Sequence, residues 1–107
     1  MTELSFKLKK YLTGDKERVG FVFKSGQIIE VTNVCAEPEK GFMVSAEDLL
    51  KYEGKIAATW HTHPNSPSVL SVGDYDSFKN WPEWRHYIVG TDGVTEYYMD
   101  EGELMIA

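Results

Sequence analysis

The chain has one cysteine, Cys35, which excludes an internal disulfide framework and any multi-cysteine zinc cage and fits a reducing compartment. Cys35 itself reads as a small buried hydrophobe. Basic residues are also few: 11 stand against 17 acidic ones, for a formal charge of -6. That balance opposes a phosphate-tracking surface and leaves no basic cluster for anionic lipid, so neither nucleic acid nor membrane is an expected partner. Long apolar runs are missing too. The amino terminus starts polar, and Lys7, Lys9 and Lys10 interrupt its early apolar pattern, so neither a signal peptide nor a membrane span is expected and the location reads as cytoplasmic. With no internal repeat, low-complexity tract or Pro/Gly/Ser linker, the 107 residues read as one domain, 1–107.

The apolar pattern then supplies an order of elements. Leu4, Leu8, Tyr11 and Leu12 share one helical face, predicting an amphipathic helix over 3–12 that stops near Gly14, with Phe6 out of the stripe. The β-branched and aromatic segments Val19 to Phe23 and Ile28 to Val31 flank Ser25-Gly26 and predict a hairpin. Ser45 followed by Asp48 caps a short helix over 46–53, with Gly54 placed to end it. Lys55 to His61 reads as an internal strand, after which Pro64 and Pro67 force a loop. Ser71 to Asp74 opens a further helix that runs to about Asn80 and is stopped by Pro82. Tyr87 to Gly90 and Val94 to Met99 flank the turn Thr91-Asp92-Gly93, and Leu104 to Ile106 adds a terminal strand. Helices interspersed among hairpin-linked strands predict an α/β fold: a mixed sheet flanked by helices in three layers.

His61 and His63 sit at the end of the predicted internal strand, where the two-residue period points both imidazoles to one face. Imidazole suits Zn²⁺, and a catalytic zinc needs about three protein ligands and an open position. Asp74 is the best third ligand, because the Pro64–Pro67 loop can return the chain so that the next helix delivers a carboxylate; Asp76 is its nearest competitor. Taken singly these features are bland. A His-x-His is usually incidental, and Ser-x-x-Asp before a helix is usually a cap.

The whole string is specific. His61-Thr62-His63-Pro64, the seven residues Pro64 to Leu70, and then Ser71-Val72-Gly73-Asp74 resemble the signature of the JAMM (MPN-domain) zinc metallopeptidase family. The resemblance implies a cytidine-deaminase-like fold, one zinc held by His61, His63 and Asp74 with water as fourth ligand, and peptidase or isopeptidase chemistry. Glu17-Arg18-Val19-Gly20 resembles the family's upstream glutamate motif, which selects Glu17 over Glu30 and Glu37 as general base, and the motif position of Ser71 implies a hydroxyl that polarises the scissile carbonyl. The expected substrate is a peptide or protein, with ubiquitin-like, phage and bacterial proteins all open.

A second reading comes from the hairpin Gly20 to Ile29, which resembles the peptidase portion of bacteriophage tail assembly proteins and implies a structural or assembly role with little catalysis. A zinc nucleobase deaminase needs a Pro-Cys-x-x-Cys motif that one cysteine cannot supply. Trp60, Trp81 and Trp84 are expected in the core or at its rim, and His86 as a satisfied or exposed histidine outside the site.

Overall fold

The computed structural model describes residues 3–107. The stripe predicted at the amino terminus forms: helix α1 (Glu3–Leu8) and a 3-10 turn over Lys9–Tyr11 lay Leu4, Leu8, Tyr11 and Leu12 on the sheet, while Phe6 faces solvent. β1 (Val19–Phe23) and β2 (Ile28–Val31) make the expected antiparallel hairpin, its turn closed at Gly26 with φ of 94°. Helix α2 (Ala46–Lys51) starts where Ser45 Oγ accepts the Asp48 N–H at 3.1 Å. It ends two residues before the predicted limit. β3 (Ile56–Thr62), α3 (Val72–Asn80), β4 (Arg85–Gly90), β5 (Gly93–Asp100) and β6 (Glu103–Ile106) complete the described residues. No helix among these residues is long and apolar enough to cross a membrane.

The six strands form one mixed sheet in the order β2-β1-β3-β4-β5-β6, with α3 in the crossover between the parallel neighbours β3 and β4. Alternation along the strands sorts the core into two layers. Val22, Ala58, Trp60 and Val89 meet Leu8 of α1 on one face, and Phe78 of α3 meets Ile88 and Tyr97 on the other. Phe21 and Tyr52, 6.1 Å apart between ring centroids, bring α2 to the same side as α3. A sheet between α1 and the α2/α3 pair is the three-layer arrangement expected.

Trp60 is fully buried, and its indole crosses β1 to donate Nε1–H to the Ile29 carbonyl at 3.1 Å. That path runs over Gly20. A Cβ on residue 20 would collide with the Ile29 carbonyl and lie 2.7 Å from the Trp60 ring. Gly20→Ala is therefore expected to lower stability by about 2–3 kcal/mol, read as a reduced denaturation midpoint at unchanged slope.

His86 is buried at the same core, stacked on Phe78 at 4.1 Å between centroids. Its Nε2 lies 3.0 Å from the Trp81 carbonyl, which can only accept, so Nε2 carries the proton and Nδ1 accepts from Thr59 Oγ1 at 2.7 Å. Both nitrogens are satisfied in the neutral form. Burial pushes the imidazole down from 6.5 to about 4, against the Trp81 hydrogen bond and with a further push from His61. The unfolded chain takes up this proton near pH 6.5 and the folded one only near pH 4, so the contribution is complete above that window and disappears as pH falls through it. The loss amounts to roughly 3 kcal/mol. In His86→Gln, stability should fall less steeply with acidification across this window, by up to one proton in slope, in denaturant titrations at successive pH values.

Candidate metal centre

Three separate segments meet at the carboxyl end of β3, where strand ends and a helix amino terminus open onto a shared crevice. His61 lies in β3 and His63 just beyond it, held in sheet-like register by its N–H on the Val89 carbonyl at 2.8 Å. β1 runs antiparallel to β3 with Val19 opposite His61. That register continues outward: Thr62 N–H donates to the Arg18 carbonyl and Arg18 N–H to Thr62 Oγ1, both at 2.9 Å, so Glu17 falls beside His63. Asp74 arrives from the first turn of α3.

Asp74 is at once a cap and a site residue. Ser71 Oγ accepts the Asp74 N–H at 3.0 Å, and Asp74 Oδ2 accepts the Ser71 N–H at 3.1 Å, a capping box. The same carboxylate puts Oδ1 3.0 Å from His61 Nε2 and Oδ2 3.1 Å from His63 Nε2. The two Nε2 atoms are 3.3 Å apart. Tetrahedral zinc with bonds of about 2.0–2.1 Å has ligand-to-ligand edges of about 3.3 Å, the separation of the two Nε2 atoms, while each histidine faces a different oxygen of Asp74. Two imidazoles with carboxylate oxygen also suit zinc better than magnesium or calcium. Asp76, the competing candidate, is exposed.

Glu17 completes the cluster. One carboxylate oxygen of Glu17 and one nitrogen of each of His61 and His63 lie within 4.8 Å of one another, so this group could hold a metal ion. The shorter distances belong to Asp74, which leaves Glu17 a step further out. Its Oε1 is buried and without a hydrogen-bond partner among the described residues, a costly arrangement for a carboxylate unless a cation or proton faces it. The other glutamates weighed are engaged elsewhere: Glu30 takes a bidentate pair from Arg18 at 2.6 and 2.8 Å, and Glu37 is exposed near Lys40.

The electrostatics follow from burial and from these contacts. Desolvation raises the Glu17 carboxyl from 4.5 to about 7, with His63 opposing and Asp74 adding to the rise. Burial also resists ionisation of Asp74, but hydrogen bonds from both histidines and from Ser71 outweigh it and hold the carboxyl well below the usual carboxylate range. His61 is lowered, chiefly by burial. His63 is raised, because Asp74, the Pro67 carbonyl and Glu17 together overcome its desolvation.

The loop over 33–43, which has no periodic pattern, supplies residues that sequence reasoning passed over. Asn33 Nδ2 donates to the carbonyls of Glu17 at 2.9 Å and Gly41 at 3.0 Å, and its Oδ1 accepts from the N–H groups of Cys35 and Met43 at 3.1 and 3.0 Å. Glu17 N–H in turn donates to the Pro38 carbonyl at 2.7 Å, so both backbone groups of Glu17 are held by this loop. Phe42 stacks on the His61 ring at 4.2 Å between centroids. Cys35 is only half-buried here, because the loop runs over the surface rather than through the core, which corrects the expectation of a buried hydrophobe. Trp60 belongs to the core and Trp81 and Trp84 stack on each other at its rim, as expected.

Ser71 is exposed beside the cluster and, with Glu17, Glu39, Lys40, His63, Pro64, Asn65 and Ser66, lines a cleft of about 270 Å³. No protein-family model and no curated protein sequence matches this chain. Its fold is shared with a solved structure, the solution structure of a Desulfitobacterium hafniense protein determined as a structural genomics target. The two superpose with a TM-score of 0.66 at 14% identity, over 99% of this chain and 87% of the other.

Proposed function

We propose that this chain is a zinc-dependent hydrolase of the JAMM type, cutting a peptide or isopeptide bond, and that its three-layer sheet is the JAMM/MPN variant of the α/β fold. The observation that carries the reading is the meeting of His61 Nε2, His63 Nε2 and the Asp74 carboxylate at 3.0–3.3 Å, with the buried, unpartnered Glu17 Oε1 next to them. His61, His63 and Asp74 would hold the ion, which when bound supplies Lewis acidity and a water of near-neutral pKa.

The chain's own groups account for the proton movements. Glu17, a buried carboxyl beside the cluster with no hydrogen-bond partner for Oε1 among the described residues, accepts the proton of the attacking water and returns it to the leaving amine. Ser71 Oγ has a lone pair occupied by the Asp74 N–H, which leaves its hydroxyl proton free to donate to the carbonyl oxygen as charge develops there. Ser71 therefore acts as a polariser, and no acyl-enzyme forms. The cleft lined by Ser71 and Glu17 would take the substrate chain.

The deciding experiment is elemental analysis of untagged native protein together with hydrolysis of peptide and isopeptide panels. About one zinc per chain with cleavage that stops on chelation is the expected result. No zinc even after reconstitution would sink the hydrolase and leave the assembly-protein alternative.

A further inference from the structure

The His63 ring is held from outside the cluster by a loop that is itself clamped to a hairpin distant in sequence. His63 Nδ1 lies 3.0 Å from the Pro67 carbonyl. A carbonyl only accepts, so this contact favours a proton on Nδ1, which in neutral His63 leaves the Nε2 lone pair for a cation, while Asp74 Oδ2, 3.1 Å from Nε2, competes for the proton in the metal-free chain. The position of Pro67 thus bears on which nitrogen carries the proton.

Pro67 is held through the next residue, which has three hydrogen bonds of its own. Ser68 is 3% exposed. Its N–H donates to Asp92 Oδ1 at 2.7 Å, its hydroxyl pairs with Thr95 Oγ1 at 2.6 Å, and its carbonyl accepts from Tyr97 Oη at 2.9 Å. All three partners lie on β5 or on the turn that precedes it. Thr91 N–H adds a bond to the Ser66 carbonyl at 2.9 Å. Gly90 allows the approach: a Cβ there would collide with Pro67 and with the Ser68 nitrogen.

We infer that the β4–β5 hairpin is a positioning device for the metal centre, acting through Ser68 and the Pro67 carbonyl to fix the orientation of the His63 ring and to bias its proton toward Nδ1. The inference rests on the metal-centre reading. The hydrogen bonds of Asp92 and Tyr97 go to Ser68 and not to the cluster's donor atoms, so these are positioning residues.

The test uses Asp92→Ala and Tyr97→Phe, separately and together, in the full chain. Asp92→Asn serves as the conservative partner because it keeps an Oδ1 acceptor for Ser68 N–H. Two readouts are taken on folded protein: zinc affinity by chelator competition, and the His63 tautomer by long-range nitrogen–proton NMR of zinc-free protein at a pH where the ring is neutral. The expected result is a larger Nδ1–H fraction in the native chain than in the double variant, zinc affinity about 10- to 100-fold weaker in that variant, and recovery of both in Asp92→Asn. An unchanged tautomer or an unchanged affinity in the folded double variant would overturn the inference. If the native chain takes up no zinc, the hydrolase reading fails, and the tautomer measurement alone decides the positioning claim.

Discussion

On the proposed zinc site, His63→Ala and Asp74→Ala should each reduce the zinc content from about one per chain to near zero, because a site built on three protein ligands holds the ion far more weakly on two. The two variants lose it for different reasons. Removing His63 deletes the donor that lies 3.3 Å from His61 Nε2 and 3.1 Å from Asp74 Oδ2, and leaves the amino terminus of α3 untouched. Removing Asp74 deletes the carboxylate that lies 3.0 and 3.1 Å from the two Nε2 atoms, together with the acceptor for Ser71 N–H. Asp74→Ala should therefore also lose about 1 kcal/mol of stability with its half of the capping box, a cost that His63→Ala does not share. Asp74→Asn separates the two effects: its amide oxygen can still accept from Ser71 N–H, while the charge that balances the cation is gone. Asp76→Ala should keep its zinc, because that side chain is exposed on α3. Loss of zinc in Asp76→Ala, or its retention in either alanine variant at the cluster, would require a different ligand set.

The histidine pair was legible in the sequence because its geometry is local. A strand period of two residues puts His61 and His63 on one face, and a Pro64 directly after them ends the pairing. Asp74 was legible in a weaker sense. The residues Ser71 to Asp74 announce a helix cap, and the helix does start there with a complete capping box. Capping and ligation looked like competing explanations, yet one carboxylate has enough lone pairs for the Ser71 N–H and for both histidines.

Glu17 is singled out in the sequence by the resemblance of Glu17-Arg18-Val19-Gly20 to a family motif, not by any periodicity. It reaches His63 because β1 lies antiparallel to β3 with Val19 opposite His61, and nothing in residues 17–23 encodes which strand they pair with. The order of the sheet, including the parallel β3–β4 contact, is likewise a property of long-range packing. The loop over 33–43 was least legible. It has no periodicity, and the use of Asn33 appears only once its four hydrogen bonds to Glu17, Cys35, Gly41 and Met43 exist. The same holds for Ser68, an unremarked serine in a loop until Asp92, Thr95 and Tyr97 close on it.

On the proposed hydrolase mechanism, Glu17→Gln should abolish most turnover while leaving the zinc in place. The substitution keeps the length and shape of the side chain but removes the group that can take a proton, and loss of a general base costs about 10²–10⁴ in kcat. Zinc content should hold, because Asp74 and the two histidines supply the shorter contacts and Glu17 stands outside them. Stability gives an independent check in zinc-free protein. The folded carboxyl titrates at about 7 against 4.5 when unperturbed, so the unfolded chain releases this proton first as pH rises. Ionised Glu17 therefore opposes folding increasingly from pH 4.5 up to about 7, and fully above that. The glutamine variant has no proton to lose. It should resemble the native chain at the acidic end of this range and exceed it in stability at the alkaline end, compared by denaturant midpoints at both. A variant that loses turnover and zinc together would instead make Glu17 a ligand. One that keeps full turnover would place the base elsewhere in the cleft.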